Sequence, residues 1–208
     1  MKRPARRPVE LVVIGASLGG LDALGVVLAA LGPGFPPVAV AQHRSPQGES
    51  RLAHLLGRGL AVEVGEVEDK EPLSPGRVYL APADYHLLVE EGRVALSTEA
   101  PVAFSRPSID VLFESAARAY GPRVVGVLLT ASSEDGAEGI AAVHRAGGST
   151  VVQDPKTARS PVAPKAALRL TPGARVLPLE EIGPFLANEV AQAGGRGLKG
   201  VQGGAGRR

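Results

Sequence analysis
Three segments of the 208-residue chain carry side chains that could together make a nucleophile: Ser17 in GASLGG, His43 in AQHRSP and Asp135 in TASSEDG. Serine is a poor nucleophile until an imidazole takes its proton and a carboxylate holds that imidazole in the right tautomer; this is the division of labour in acyl transfer by a Ser-His-Asp trio. The order Ser, His, Asp is not that of the α/β-hydrolases, in which the acid precedes the histidine, so that superfamily is not implied. Each residue also has a structural reading. Ser17 and Asp135 stand where helices begin and could cap them by accepting backbone N–H bonds, and His43 could be a structural histidine at a strand end. The glycines of GASLGG could mark a dinucleotide turn, but the full G-x-G-x-x-G spacing is missing, and His43 rather than an acidic residue ends the second apolar run. A single site accounts for all three positions at once.

What must position them is a set of strand ends. Residues 11–14 are apolar, end at Gly15, and are followed by Leu18, Leu21, Leu24, Val27, Leu28 and Leu31 at helical spacing, which predicts strand, glycine turn and helix. Residues 38–41 predict a second strand, 42–48 a loop, and 49–60 a helix with Leu52, Leu55 and Leu56 inward. Helical spacing returns over 108–120, where Ile109, Leu112, Phe113 and Ala116 share a face. The run 124–129 reads as a central strand, 137–146 as its helix, and 149–152, 164–170, 175–177 and 179–193 continue the alternation. Repeated strand-then-helix units imply parallel strands with right-handed crossovers, hence an α/β fold: a doubly wound, mostly parallel sheet flanked by helices in three layers. Over residues 62–98 the texture changes to VEVGEV, RVYLAPA and HLLVEEGRVALST, with a turn at Glu91-Gly92, which predicts an antiparallel hairpin at one edge of the sheet. In such sheets the loops leaving the carboxyl ends of the strands form the ligand crevice. Ser17, His43 and Asp135 all leave that edge.

Composition narrows the class. Apolar residues make up 44% of the chain, enough to bury a sizeable core, whereas aromatics are only 3% with no Trp, so Val, Leu, Ala and Ile must pack it. Cys is absent, which excludes disulfides and thiolate metal sites. The basic start MKRPARRPVE leads into an apolar run broken by Gly15, Ser17, Gly19 and Gly20 rather than into a signal core, and no stretch is long and apolar enough to span a bilayer. A cytoplasmic protein without membrane insertion is expected. Lys2, Arg3, Arg6, Arg7, Arg196, Lys199, Arg207 and Arg208 lie in the termini; removing those eight from a net charge of +2 leaves the body at −6. That is the wrong sign for a nucleic-acid surface. The expected organisation is a flexible basic arm at 1–9, one domain at 10–193, and a flexible Gly/Arg-rich tail at 194–208. No metal-ligand spacing is present: Glu66, Glu68, Asp69 and Glu71 read as a solvated edge, and no metal or cofactor is expected.

The segments VVIGASLGG, VAQHRSP, EPLSPGRVYLAPADYHL, RPSIDVLF, VGVLLT with the following EDGAEG, AGGSTVVQD and PKAAL stand in an order that resembles the catalytic domain of the chemotaxis protein-glutamate methylesterase (CheB) family over about residues 11–181. The resemblance implies Ser17 as nucleophile, His43 as general base and Asp135 as its orienting carboxylate. It implies hydrolysis of glutamate γ-methyl esters on the cytoplasmic helices of chemoreceptors, releasing methanol, with deamidation of receptor glutamines as a related reaction. Backbone amides of Leu18 and Ser132 are expected to form the oxyanion hole. Arg106 could attract an acidic receptor surface or be a structural ion-pair partner, and His86 could touch substrate or stabilise the turn beside it.

The chain departs from that pattern in four places. Leu18 stands where the family has a threonine after the nucleophile. Residues 131–136 read Ala-Ser-Ser-Glu-Asp-Gly where the family reads GMG-x-DG, which removes two glycines and their access to positive φ. Pro161, Val162 and Ala163 replace an aromatic-Gly-Met. No receiver domain precedes the first strand: either the chain is a piece of a longer protein or it is a stand-alone effector, and the initial Met with a charged arm favours the second. With the trio retained and its surroundings changed, two further hypotheses stand beside the active esterase, a docking module of a chemosensory array and a nucleotide binder at GASLGG.

Overall fold
Side-chain parity along the first strand, β1 (Leu11–Ala16), sets the layers. Leu11 and Val13 point into one core and Val12 and Ile14 into the other, and all four are fully buried, as a strand covered on both faces requires. In the computed structural model, which describes residues 8–45 and 51–194, β1 lies at the centre of a seven-stranded sheet. After it come α1 (Gly20–Leu28), β2 (Val38–Gln42), α2 (Leu52–Gly57), β3 (Glu63–Glu66), β4 (Arg77–Leu80), β5 (His86–Glu90), β6 (Arg93–Ser97), α3 (Ile109–Tyr120), β7 (Val124–Leu128), α4 (Ala137–Arg145), β8 (Ser149–Gln153), α5 (Val162–Leu170), β9 (Arg175–Leu177) and α6 (Leu179–Gly194). The strand order is β3-β4-β2-β1-β7-β8-β9, and every pairing is parallel. Helices α1, α2 and α6 cover one face; α3, α4 and α5 cover the other. Each fully buried Val or Leu in these layers contributes about 1.5–3 kcal/mol by leaving water.

The α/β reading and its layers are what the structure shows. The segments expected as an antiparallel edge resolve differently. β3 and β4 are parallel members of the main sheet, and only β5 and β6 form a hairpin, a separate two-stranded sheet paired from His86↔Ser97 to Glu90↔Arg93. The hairpin lies on α3: the Val89 amide donates to Ser115 Oγ (3.0 Å), the Gly92 amide to Tyr120 Oη (3.1 Å), and Leu87, Val89 and Val94 join the α3 core. The helix expected over 49–60 is shortened to Leu52–Gly57. The expected flexible segments, 1–9 and 194–208, fall almost wholly outside the described residues, as do positions 46–50 of the loop after β2 and the start of that helix.

Strand order reverses at β1. From it β2, β4 and β3 lie outward on one side, laid down in the chain order β2, β3, β4, and the chain then returns to place β7, β8 and β9 on the other. The register holds Gly15 level with Ala41 and Leu128, and Ala16 level with Gln42. The loops after β1, β2 and β7 therefore emerge side by side at the topological switch point, where open α/β sheets place their ligands.

Candidate active site
His43 Nε2 lies 2.7 Å from Asp135 Oδ2; the carboxylate side chain is fully buried and the imidazole is 13% exposed. Burial alone pushes the Asp135 carboxyl up, but the hydrogen bond from His43 and those from the Asp110 and Ile109 amides outweigh it, so the group lies below the ordinary carboxylate range. An ionised carboxylate only accepts, so Nε2 carries the proton and the Nδ1 lone pair is the free base. Ser17, half-buried, lines the same cavity of about 500 Å³ as His43, together with Leu18, Ser132 and Arg159. Ser17 and His43 thus share one cavity, and Asp135 lies buried behind it, joined to it through His43.

Asp135 holds more than the imidazole. Its Oδ1 accepts from Ser108 Oγ (2.9 Å) and the Asp110 amide (3.0 Å), and its Oδ2 from the Ile109 amide (2.8 Å). The two amides are the first donors of α3, orphaned by helix geometry, and Ser108 is its N-cap. The relation is reciprocal, because Asp110 Oδ1 accepts from the amides of Gly136 (2.8 Å) and Gly139 (2.7 Å) at the start of α4. Two helix starts are stitched to each other by exchanged carboxylates. Sequence inspection passes over Asp110, whose only local mark is an acid in a helix's first turn.

Burial above all, with the adjacent Asp135 charge, raises Asp110 to about 7 although the Gly139 and Gly136 amides oppose the shift. Between its ordinary 3.8 and that value the folded chain binds a proton that the unfolded chain has lost, so this group's contribution to stability falls as pH rises through the window. Asp135 acts oppositely: its contribution is present above its ordinary 3.8 and is lost as pH falls through its lower folded value. Asp110→Asn keeps an Oδ1 acceptor for both amides and removes the ionisation. Its urea midpoint is expected to be flat between about pH 5 and pH 7, where the parent's declines; parallel slopes would refute the assignment.

The nucleophile and base loops are joined by Gln42, the last residue of β2. Its Nε2 donates to Ser17 O and to His43 O, both at 2.9 Å, from a buried position. Gly20 makes room for it: a Cβ there would sit 2.0 Å from Gln42 Oε1 and 2.8 Å from Ala16 Cβ. Gly20→Ala is expected to eject the Gln42 amide and lower kcat about a hundredfold, with a stability loss of about 2 kcal/mol readable as a urea midpoint. A second tie comes from buried Thr130, whose hydroxyl donates to Leu18 O (2.8 Å) and accepts from the Ser160 amide (2.8 Å).

Leu18 and Ser132, the expected oxyanion donors, both line the cavity and are exposed. The loss of glycines from the 131–134 loop carries no backbone strain. Among the described residues the non-glycines with positive φ are Lys70, Asp84, Ala103 and Phe104, and the left-handed step is taken by Gly136 at φ 102°. Arg106 lies with His43 and Phe104 around a neighbouring cavity of about 200 Å³, but its guanidinium is occupied: Nε and Nη2 hold Asp84 at 3.0 and 2.6 Å, and Nη1 donates to Thr98 O and Glu99 O. His86 faces inward. It is 2% exposed, its Nδ1 accepts from the Ser108 amide (3.1 Å), and its Nε2 lies 3.1 Å from Ala100 O. The histidine expected to touch substrate or brace a turn is thus a brace, acting through Ser108 on Asp135. No cluster of three or more potential metal-ligating side chains, and no helix long and apolar enough to cross a membrane, occurs among the described residues.

The chain is similar to known proteins. The chain is 47% identical over 181 residues to protein-glutamate methylesterase/protein-glutamine glutaminase 2 of Anaeromyxobacter dehalogenans, covering 86% of this chain and 53% of that one. It is 40% identical to the protein-glutamate methylesterase FrzG of Myxococcus xanthus, covering 86% and 54%. It therefore spans about half the length of these two relatives. The crystal structure of the Thermotoga maritima CheB methylesterase catalytic domain superposes with a TM-score of 0.81 at 32% identity, over 86% of this chain and 97% of that one. Residues 12–186 match the family model for the CheB methylesterase, and the chain belongs to that family.

Proposed function
We propose that the chain hydrolyses γ-methyl esters of glutamate side chains on the cytoplasmic helices of chemoreceptors, with Ser17 as nucleophile, His43 as general base and Asp135 as the carboxylate that orients it. The observation that carries this is the buried 2.7 Å bond between His43 Nε2 and Asp135 Oδ2 beside a cavity that Ser17 also lines. Ser17 Oγ attacks the ester carbonyl as its proton passes to His43 Nδ1. The oxyanion is met by main-chain amides of Leu18 and Ser132 and by the positive end of α1. The C–O bond to the methoxy group then breaks, the imidazolium returns its proton to that oxygen, and methanol leaves. Water, deprotonated by the same imidazole, cleaves the acyl-serine and restores the enzyme with a glutamate carboxylate as product. A side-chain amide in place of the ester would release ammonia by the same steps, which is glutamine deamidation.

A methyl ester needs no metal to be cleaved, and an open cleft suits a side chain protruding from a helix. The relatives' printed activities, methylesterase and glutaminase, agree with this chemistry. The experiment is incubation with a methyl-labelled receptor fragment and, separately, with a fluorophosphonate. Labelled methanol should be released, and the phosphonyl adduct should map to the peptide holding Ser17. Tight binding of the fragment without release and without an adduct would replace this function with that of a docking module.

A further inference from the structure
Arg159 stands on the rim of the Ser17 cavity and is exposed. Among the described residues it has no hydrogen bond or ion pair, whereas Arg77, Arg93, Arg106, Arg123 and Arg169 each hold a carboxylate. Its main chain is nevertheless fixed. The next residue, Ser160, is gripped on both sides, its amide donating to Thr130 Oγ1 (2.8 Å) and its carbonyl accepting from the Ala131 amide (3.3 Å). The same threonine hydroxyl holds Leu18 O, so Arg159 and the nucleophile turn share one anchor. The aliphatic stem lies against Gly19, where an added Cβ would come within 2.8–3.3 Å of Arg159 Cβ, Cγ and Cδ. A guanidinium has donors only and a fork that fits a carboxylate. Beside it the rim offers the exposed side chains of Leu18 and Leu21. The other charged side chain on this cavity is Asp22, exposed, without a partner among the described residues and not ion-paired with Arg159.

We propose that Arg159 is a specificity-determining residue: it holds a carboxylate lying next to the ester on the polypeptide substrate, so that a methyl ester flanked by an acidic side chain is hydrolysed in preference to the same ester flanked by a neutral one. The inference rests on the methylesterase function proposed above. An exposed pair of this kind changes binding by about twofold to fivefold and is weakened by salt.

Two helical peptides test it, each with one glutamate γ-methyl ester and apolar neighbours, one carrying Glu beside the ester and its twin carrying Gln. Methanol release gives kcat/KM for both. The full chain should prefer the acidic peptide by about twofold to fivefold at about 0.05 M salt, with the preference in KM and shrinking at about 0.5 M. Arg159→Gln should reduce the ratio to about one, Arg159→Lys, which keeps the charge but loses the fork, should give a ratio between that and the parent's, and Asp22→Asn should widen it. General damage to the fold would not narrow the ratio in Arg159→Gln and widen it in Asp22→Asn. An unchanged ratio in Arg159→Gln, or no preference in the parent, overturns the inference while leaving the esterase in place. No Ser17-dependent release from either peptide overturns the esterase itself, and the inference with it.

Discussion

Replacing Asp135 with Asn is expected to lower kcat for methanol release about ten-thousand-fold and to destabilise the fold at the same time. The double effect follows from four donors converging on two oxygens. His43 Nε2 and the Ile109 amide meet Oδ2; Ser108 Oγ and the Asp110 amide meet Oδ1. All four sites call for an acceptor, and an asparagine supplies one oxygen and one NH₂. If the NH₂ faces His43, the imidazole must move its proton to Nδ1 to accept the bond, and the base needed by Ser17 is gone. The Ile109 amide also loses its partner. If the NH₂ turns the other way, the imidazole keeps its bond but the Asp110 amide opposes a donor at the first turn of α3. Each buried donor left unsatisfied costs about 1–3 kcal/mol, so the urea midpoint should fall in either orientation. A carboxylate that served only His43 would give the kinetic loss with an unchanged midpoint, and that result would refute the shared role.

This coupling marks where sequence legibility ends. The central strands could be read because burial on both faces leaves no polar position: β1, β2 and β7 are near-continuous apolar runs, and the polar residues that end them stand out. Ser17, His43 and Asp135 were visible for that reason. Strand direction at the margin was not. β3 reads Glu-Val-Gly-Glu and is exposed or half-buried throughout, and alternation of this kind is the same for a parallel edge strand as for one arm of a hairpin. Asp110 was hidden for another reason. Its partners, Gly136 and Gly139, lie more than twenty residues away on another helix, and exchange of carboxylates between two helix starts is a relation between elements rather than a pattern within one. His86 could be read from the sequence either as a substrate contact or as a brace of the turn, because its facing is not written in its neighbours: Tyr85 is 40% exposed, while the next side chain turns inward, onto Ser108. The glycine-poor loop at 131–134 suggested a reshaped backbone, yet Gly136 alone takes the left-handed step.

Ser17→Ala separates chemistry from architecture more cleanly than any change at Asp135. The structural bonds of Ser17 are made by its main chain: its amide donates to Thr130 O (2.9 Å), and its carbonyl accepts from the Gly20 amide (2.8 Å) and Gln42 Nε2 (2.9 Å). Alanine preserves all of them and deletes only the hydroxyl, so the urea midpoint should stay within about 0.5 kcal/mol of the parent. Methanol release should fall about a thousandfold to a millionfold, to whatever the oxyanion donors and binding supply without a covalent intermediate. Because the members of a triad act as a unit, Ser17→Ala combined with Asp135→Asn should be hardly slower than Ser17→Ala alone, while the stability loss of Asp135→Asn should appear undiminished in the double variant. Kinetic effects that multiplied instead would mean that Ser17 and Asp135 serve different reactions, and the single relay through His43 would have to be abandoned.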